Sequence, residues 1–476
     1  QQPWARQSRL KQGRTPDWVR NTGFWVWNRG PSDGVLPPAA AMQDYLGVPV
    51  SVFWHWWHGC AYDVGFPEYL PPREGSEAFA SAVNVAHEKG LHAIVYMNQR
   101  LWGMTTESWR ERDAARYAVK GPDGSIRPEV YNTFTKAPCA SMCMGTAFWR
   151  NTYAGLATEA VLDLGVDGIY MDQACSSLSC YDSTHGHAIG GGTYWIKGFQ
   201  SLQEDIRTRC RAGGRAVALA GEGCGEAWLP YLDLMLSLQV SMERYAAPGN
   251  WRPIPLFHAV YHGYCLPYGN YASLTMPPYD ELWPAEAAPA EPLALLDRKF
   301  AQQFRMEQAR AFVWGQVPTV ANFRPEHLES RTAEMEFVMR LARLRQRAAK
   351  YLLDGAMLRP PRMQIPEADM PISRLSIYAG QQGALSEYEA RYPLLLTSCW
   401  QSPDGGVAVV VANIADTPQR VDFALDADTW PIPREGTLRI LEDSGAERAV
   451  LFDQGNVAID EELPPASARV YLLGSR

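Results

Sequence analysis

Long hydrophobic runs are what this chain most clearly lacks. Across 476 residues no uninterrupted apolar stretch approaches the ~20 residues that a bilayer span requires, and the N-terminus carries no apolar segment of the signal-peptide kind, so no membrane partner is expected. Positive charge is short as well. The 44 Lys and Arg are outnumbered by 52 Asp and Glu, a formal net charge of −8, and tracking phosphates takes clustered Lys and Arg, so no nucleic-acid partner is expected either. Nine cysteines, an odd number at irregular spacing, do not build a disulfide framework in a chain this long. Reduced, mostly buried thiols are expected. The pairs Cys139/Cys143 and Cys175/Cys180 have neither a second pair at matching spacing nor a Cys-His partner set, so the expectation is no metal and no organic cofactor. The first residue is Gln1 rather than Met, so a leader or a preceding domain can have been removed. Thiol usage leans toward the cytoplasm, and a removed leader would mean secretion.

Aromatic residues, by contrast, are abundant. There are 17 Trp and 22 Tyr, several bunched in Phe24-Trp25-Val26-Trp27 and Phe53-Trp54-His55-Trp56-Trp57. Flat apolar faces with a polar handle suit the C–H faces and hydroxyl rims of sugars; core packing is the first reading of any single Trp, and clusters at strand ends shift the balance toward a ligand cleft. From Gly23 to about Phe323 one rhythm repeats: a short apolar run, a loop of polar and aromatic residues, then an amphipathic segment. Strands are expected at residues 23–27, 50–55, 92–98, 167–172, 216–222, 234–239, 256–261 and 311–318, with helices over 76–89, 146–164, 194–211 and 332–351. Crossovers between such strands impose a parallel sheet, so eight units make an α/β fold, a (β/α)8 TIM barrel, over residues 1–354. Beyond it the hydrophobic period falls from about 3.6 to about 2. Runs at 406–413, 420–425 and 468–473, divided by Gly, Pro and Asp turns, predict an all-β C-terminal antiparallel sandwich over residues 355–476.

Reacting groups in such a barrel sit at the C-terminal ends of the strands, which gives the shortlist Asn28, His55, Asn98, Asp172, Glu222, Gln239, Glu243, His258 and Tyr261. Asp172 and Glu222 are carboxylates that close consecutive strands. Glycosidic bonds are broken by two carboxyls, one protonating the leaving oxygen and the other acting on the anomeric carbon, so an oligosaccharide or glycoside substrate is expected. Neighbouring strands lie ~5 Å apart, close to the ~5–5.5 Å carboxyl separation of retaining enzymes, although the inverting range begins only slightly higher; in a double displacement the acid must hold its proton near neutral pH. A strand-terminal Asp can also serve as a helix N-cap, and Glu226, one turn on, rivals Glu222 as the acid. His55, Asn98, Tyr170, His185, His187 and His258 are candidates for holding sugar hydroxyls. Trp27, Trp56 and Trp102 are candidates for stacking on sugar rings. Rival readings are a noncatalytic carbohydrate-binding barrel, a lyase or transglycosidase using the same carboxyl pair, and a metal-dependent hydrolase.

The run Gly165-Val166-Asp167-Gly168-Ile169-Tyr170-Met171-Asp172-Gln173, with Cys180-Tyr181-Asp182-Ser183-Thr184-His185-Gly186-His187 and the glycines after it, resembles a bacterial family known as a domain of unknown function, DUF6259. Over residues 20–350 the chain also resembles the α-retaining glycoside hydrolases that include the α-amylase clan and endo-α-N-acetylgalactosaminidases. That resemblance implies a nucleophilic Asp ending the fourth strand and an acid/base Glu ending the fifth, which fall here on Asp172 and Glu222. Tyr170 stands where the amylase clan has Arg, which argues against a starch-like substrate. The related α-galactosidase-type barrels carry their acid/base Asp on the sixth strand, and the sixth strand here ends in Gln239.

Overall fold

The computed structural model describes residues 3–246, 252–291, 293–374 and 386–475. Eight parallel strands form one sheet: β1 (Phe24–Arg29), β2 (Val50–His55), β3 (His92–Asn98), β4 (Gly168–Asp172), β5 (Ala218–Glu222), β6 (Leu234–Leu236), β7 (Leu266–Tyr268) and β8 (Thr319–Ala321). β8 pairs with β1, and a parallel bridge from Tyr268 to Val317 closes β7 against the approach to β8, giving the expected TIM-type barrel. The first six strands fall on the anticipated runs, β1 extending two residues beyond its expected end to Arg29, because each is an apolar run bounded by turn residues. Their interior is aromatic. Phe53 packs on Trp27 and Tyr170 at 4.9 and 4.3 Å between ring centroids, and Trp25 on Tyr268 at 5.1 Å. A side chain at Gly168 would meet the carbonyl oxygen of Ala218 at 2.5 Å, so glycine lets β4 approach β5 closely.

The outer helices follow β1 to β4 as Leu36–Leu46, Ser76–Glu88, Ala147–Leu162 and Tyr194–Ala212, and β7 and β8 as Ala301–Val313 and Thr332–Arg347. After β5 the ring thins to the 3-10 turn Glu226–Trp228. After β6 there follow a 3-10 segment, Leu238–Arg244, and a short helix, Leu256–Tyr261. Two anticipated strands are corrected here. Residues 256–261 are helical, and the true β7 is a three-residue strand further on; residues 311–318 are the end of a helix and a connection, with β8 beginning at Thr319. A brief apolar run does not distinguish a buried strand from a turn of helix.

The C-terminal region is antiparallel and all-β. A six-stranded sheet runs in the spatial order 356–358, 395–401, 407–413, 467–474, 436–442, 447–452, joined by two-stranded pairs at 367–374/386–393 and 419–426/456–463. Helix Ala301–Val313 lies between the barrel and this region. Trp400 donates its indole N–H to the carbonyl of Val313 at 3.2 Å, and Gln303 accepts from both the amide and the hydroxyl of Ser373 at 2.8 Å. No described helix is long and apolar enough to cross a membrane.

Candidate active site

Register brings the carboxyls to one height. β3 and β4 pair Tyr96 with Tyr170 and Asn98 with Asp172, and β4 and β5 pair Tyr170 with Ala220 and Met171 with Gly221, so Asp172 and Glu222 come next in step. With a side-chain period of two, residues 96, 98, 170, 172 and 222 share the barrel's inner face. Asp172 Oδ2 accepts from the Tyr96 hydroxyl at 2.7 Å and from Asn98 Nδ2 at 2.7 Å. Asn98 is itself fixed, its Oδ1 accepting the amides of Arg100 and Leu101 at 3.1 and 3.0 Å. Glu222 Oε2 accepts the Gln173 amide at 3.1 Å, and the Asp172 and Glu222 carboxyls are in hydrogen-bond contact with each other.

That contact divides the pair. Burial and then the neighbouring Asp172 charge push Glu222 well above the usual carboxylate range. Burial also raises Asp172, but hydrogen bonds from Tyr96, Glu222 and Asn98 and the charge of Arg100 oppose it. The shared proton therefore resides on Glu222 and the negative charge on Asp172. Arg100 stands over both, held by Gln173 at 2.8 Å and Glu129 at 3.0 Å. A third carboxyl, Asp63, is buried nearby and pushed up by burial and by the charges of Asp172 and Asp280. Beside Glu222 a cleft of about 510 Å³ opens between Gln173, Cys175, Cys224, Gln239 and Tyr245, on the flank where the helical ring is thin.

The other anticipated residues divide sharply. His55 caps β2 against Tyr96, with ring centroids 4.5 Å apart, and its Nε2 is buried with no hydrogen-bond partner among the described residues. Burial and the adjacent Arg29 keep this imidazole well below its usual range, hence neutral. Tyr170 lies lower in the barrel, against Phe53. Trp56 lies at the rim between Arg29 and Trp283, 5% exposed. Trp27 is corrected as a stacking platform. Phe53, Tyr271 and the Arg29 guanidinium all crowd its ring, leaving no face for a sugar. Trp102 is corrected too, being fully buried against Phe148 and Trp149 under Arg112. His258 is buried against Trp314 with Nε2 bonded to Gln316 at 2.9 Å, and so is structural. His185 and His187 lie beside Cys180 and Cys143, not beside the carboxyl pair. Glu226 is exposed and accepts from the Tyr261 hydroxyl, outside the carboxyl cluster.

Among the residues that were not anticipated, Tyr96 was legible, since it alternates with Asn98 on β3. Asp63 and Arg100 come from loops whose path no periodicity encodes.

The profile of the family described as Domain of unknown function (DUF6259) matches residues 1–272. A protein of Bacteroides thetaiotaomicron, provisionally named a glycoside hydrolase, is 27% identical over 257 residues, covering 54% of this chain and 36% of that protein. A second, from Monosiga brevicollis and similarly named, is 24% identical over 513 residues, covering 98% of this chain and 41% of its own length. The chain thus spans about two fifths of the curated relatives it matches. In fold it is similar to a maltogenic α-amylase of Thermotoga neapolitana, at TM-score 0.57 and 10% identity over 96% of this chain and 100% of that one. It is likewise similar to a β-L-arabinopyranosidase of Geobacillus stearothermophilus, at TM-score 0.52 and 11% identity over 97% and 99%.

Proposed function

The chain belongs to the DUF6259 family, and from that premise we propose that it is a retaining glycoside hydrolase acting on α-linked sugars, with Asp172 as nucleophile and Glu222 as general acid/base. The observation that carries this is the hydrogen-bonded carboxyl pair, ending adjacent barrel strands, with its proton on Glu222 and its charge on Asp172. The names of both relatives and the glycosidase fold of the structural neighbours support the reaction class.

Tyr96 and Asn98 both bond Oδ2 of Asp172, so Oδ1 is the oxygen that attacks the anomeric carbon. Glu222 gives its proton to the departing glycosidic oxygen, and a glycosyl ester forms on Asp172. Glu222, now ionised, takes a proton from the water that attacks the same carbon, the ester bond breaks, and configuration is retained. Retaining carboxyls work at about 5–5.5 Å, so the sugar must enter between the pair and exchange their mutual hydrogen bond for contacts to itself. The unpartnered Nε2 of His55 offers a site for one sugar hydroxyl.

Replacing Asp172 with Gly tests the assignment. Turnover of aryl α-glycosides should fall by about a thousandfold or more, and added azide should restore cleavage with inverted product configuration. Wild-type activity in the variant would sink the proposal, whereas glycan binding by the wild type without any cleavage would favour a noncatalytic barrel.

A further inference from the structure

Outside the carboxyl pair, Cys143, Cys180, His185 and His187 make up a group of four metal-ligating side chains with no task in the proposed chemistry. One ligand atom from each falls within 4.8 Å of every other. Cys143 Sγ is 3.2 Å from His187 Nε2, and Cys180 Sγ is 3.5 Å from His185 Nδ1. With Zn–S near 2.3 Å and Zn–N near 2.0–2.1 Å, a tetrahedral ion sets S···N edges of roughly 3.5 Å. Those two edges fit without rearrangement.

The second ring nitrogen of each histidine is committed. His185 Nε2 donates to the carbonyl of Arg116 at 2.7 Å and His187 Nδ1 to that of Ala188 at 2.8 Å, which leaves Nδ1 and Nε2, respectively, as the lone-pair nitrogens facing the sulfurs. The amide of Lys120 points at Cys180 Sγ at 3.5 Å, a contact suited to a thiolate. The scaffold is shaped in advance. A side chain at Gly145 would strike His187 Cδ2 at 2.4 Å, and Tyr194 stacks on that imidazole at 3.8 Å. Cys180 exchanges both backbone hydrogen bonds with Gly190, while Cys143 donates its amide to Tyr117 and Tyr181 to Lys120. The cluster therefore ties the long loop after β3 to the long loop after β4.

We infer that Cys143, Cys180, His185 and His187 form a tetrahedral Cys2His2 site for Zn2+ that staples the two loops framing the barrel mouth. Two thiolates and two neutral imidazoles complete the coordination shell, so the site is structural, with no position open for substrate. The thiol protons pass to solvent as the metal binds. This replaces the expectation of no metal, which considered Cys143 and Cys180 each with a sequence neighbour instead of with each other.

Elemental analysis of the full chain, purified without chelators, tests it. About one zinc per chain is expected, falling roughly tenfold or more in Cys180→Ser and in His187→Ala. Because either variant can fail to fold, the wild type supplies a second readout. Exchange of zinc for Co2+ should produce the visible bands of a tetrahedral ion together with thiolate-to-metal charge transfer. Purified wild type without metal, silent on Co2+ addition, would overturn the site, as would a Cys143–Cys180 disulfide in the intact mass.

Discussion

Two pairs of acids in this molecule have opposite surroundings. Glu243 meets Arg310 through two contacts of 2.7 Å, and Glu307 meets Arg244 at 2.6 and 2.7 Å, so each has a fixed countercharge in bidentate geometry. Asp172 and Glu222 instead meet each other. An acid gripped by both arms of an arginine is fixed in place and holds structure together. An acid against another acid must share a proton, and a group that can give up and recover a proton is what glycosidic cleavage needs. The cost is a region less stable than it could be.

The sharpest way to break that contrast is Glu222→Gln, which keeps shape and removes the exchangeable proton. Turnover of substrates with poor leaving groups should fall by about 10²–10⁴-fold, and far less for activated aryl glycosides that leave without protonation. Equal losses on both substrate kinds would separate Glu222 from acid catalysis. Stability should move the other way. The folded value of Glu222 is raised, so its contribution is complete below the unfolded carboxyl value near 4.5 and is lost as pH climbs toward the folded value. Chemical denaturation across pH should show the wild type losing up to about 1.4 kcal/mol per pH unit relative to the Gln variant within that window.

Breaking an arginine pair should give the reverse pattern. Arg310→Met strands Glu243 in a buried site and should cost about 3–5 kcal/mol of stability, while the pH profile of the remaining folded enzyme stays in place. Movement of that profile would show that the helix Ala301–Val313 communicates with the carboxyl pair.

The contrast also marks what was legible in the sequence. β1 to β6 and the pairing of Asp172 with Glu222 could be read because apolar runs bounded by turns fix strand order, and order fixes height. Helix Ala301–Val313 hides β8, because its end carries the apolar run expected to be that strand. It is buried nearly all round between barrel and C-terminal sheet, yet carries Gln303, Arg305, Glu307, Gln308 and Arg310, so neither an apolar stripe nor an exposed face betrays it. β7, three residues with Pro267 at its centre, carries no strand pattern. The histidines were misplaced for another reason. A polar, glycine-flanked loop after β4 resembles a substrate loop whether its side chains face sugar or, as His185 and His187 do, face Cys143 and Cys180 from two separate loops.

The smallest effect should come from the hydrogen bond that favours charge on Asp172. Tyr96→Phe removes the 2.7 Å contact to Oδ2 and leaves Asn98 in place. A hydrogen bond to a charged group contributes about 1.5 kcal/mol, so the ionised form loses about that much, and turnover at the optimum should fall about tenfold. The sign is definite: losing a donor to the carboxylate raises the Asp172 value further, so the acidic limb of the kcat/KM profile should shift upward by about one pH unit. The alkaline limb belongs to the proton on Glu222 and should move less, narrowing the bell. Because the two carboxyls titrate as a pair, both limbs must be fitted together from one profile. A bell shifted as a rigid whole, or one that widened, would mean that Tyr96 does not discriminate between the two acids and that the asymmetry arises elsewhere in the pocket.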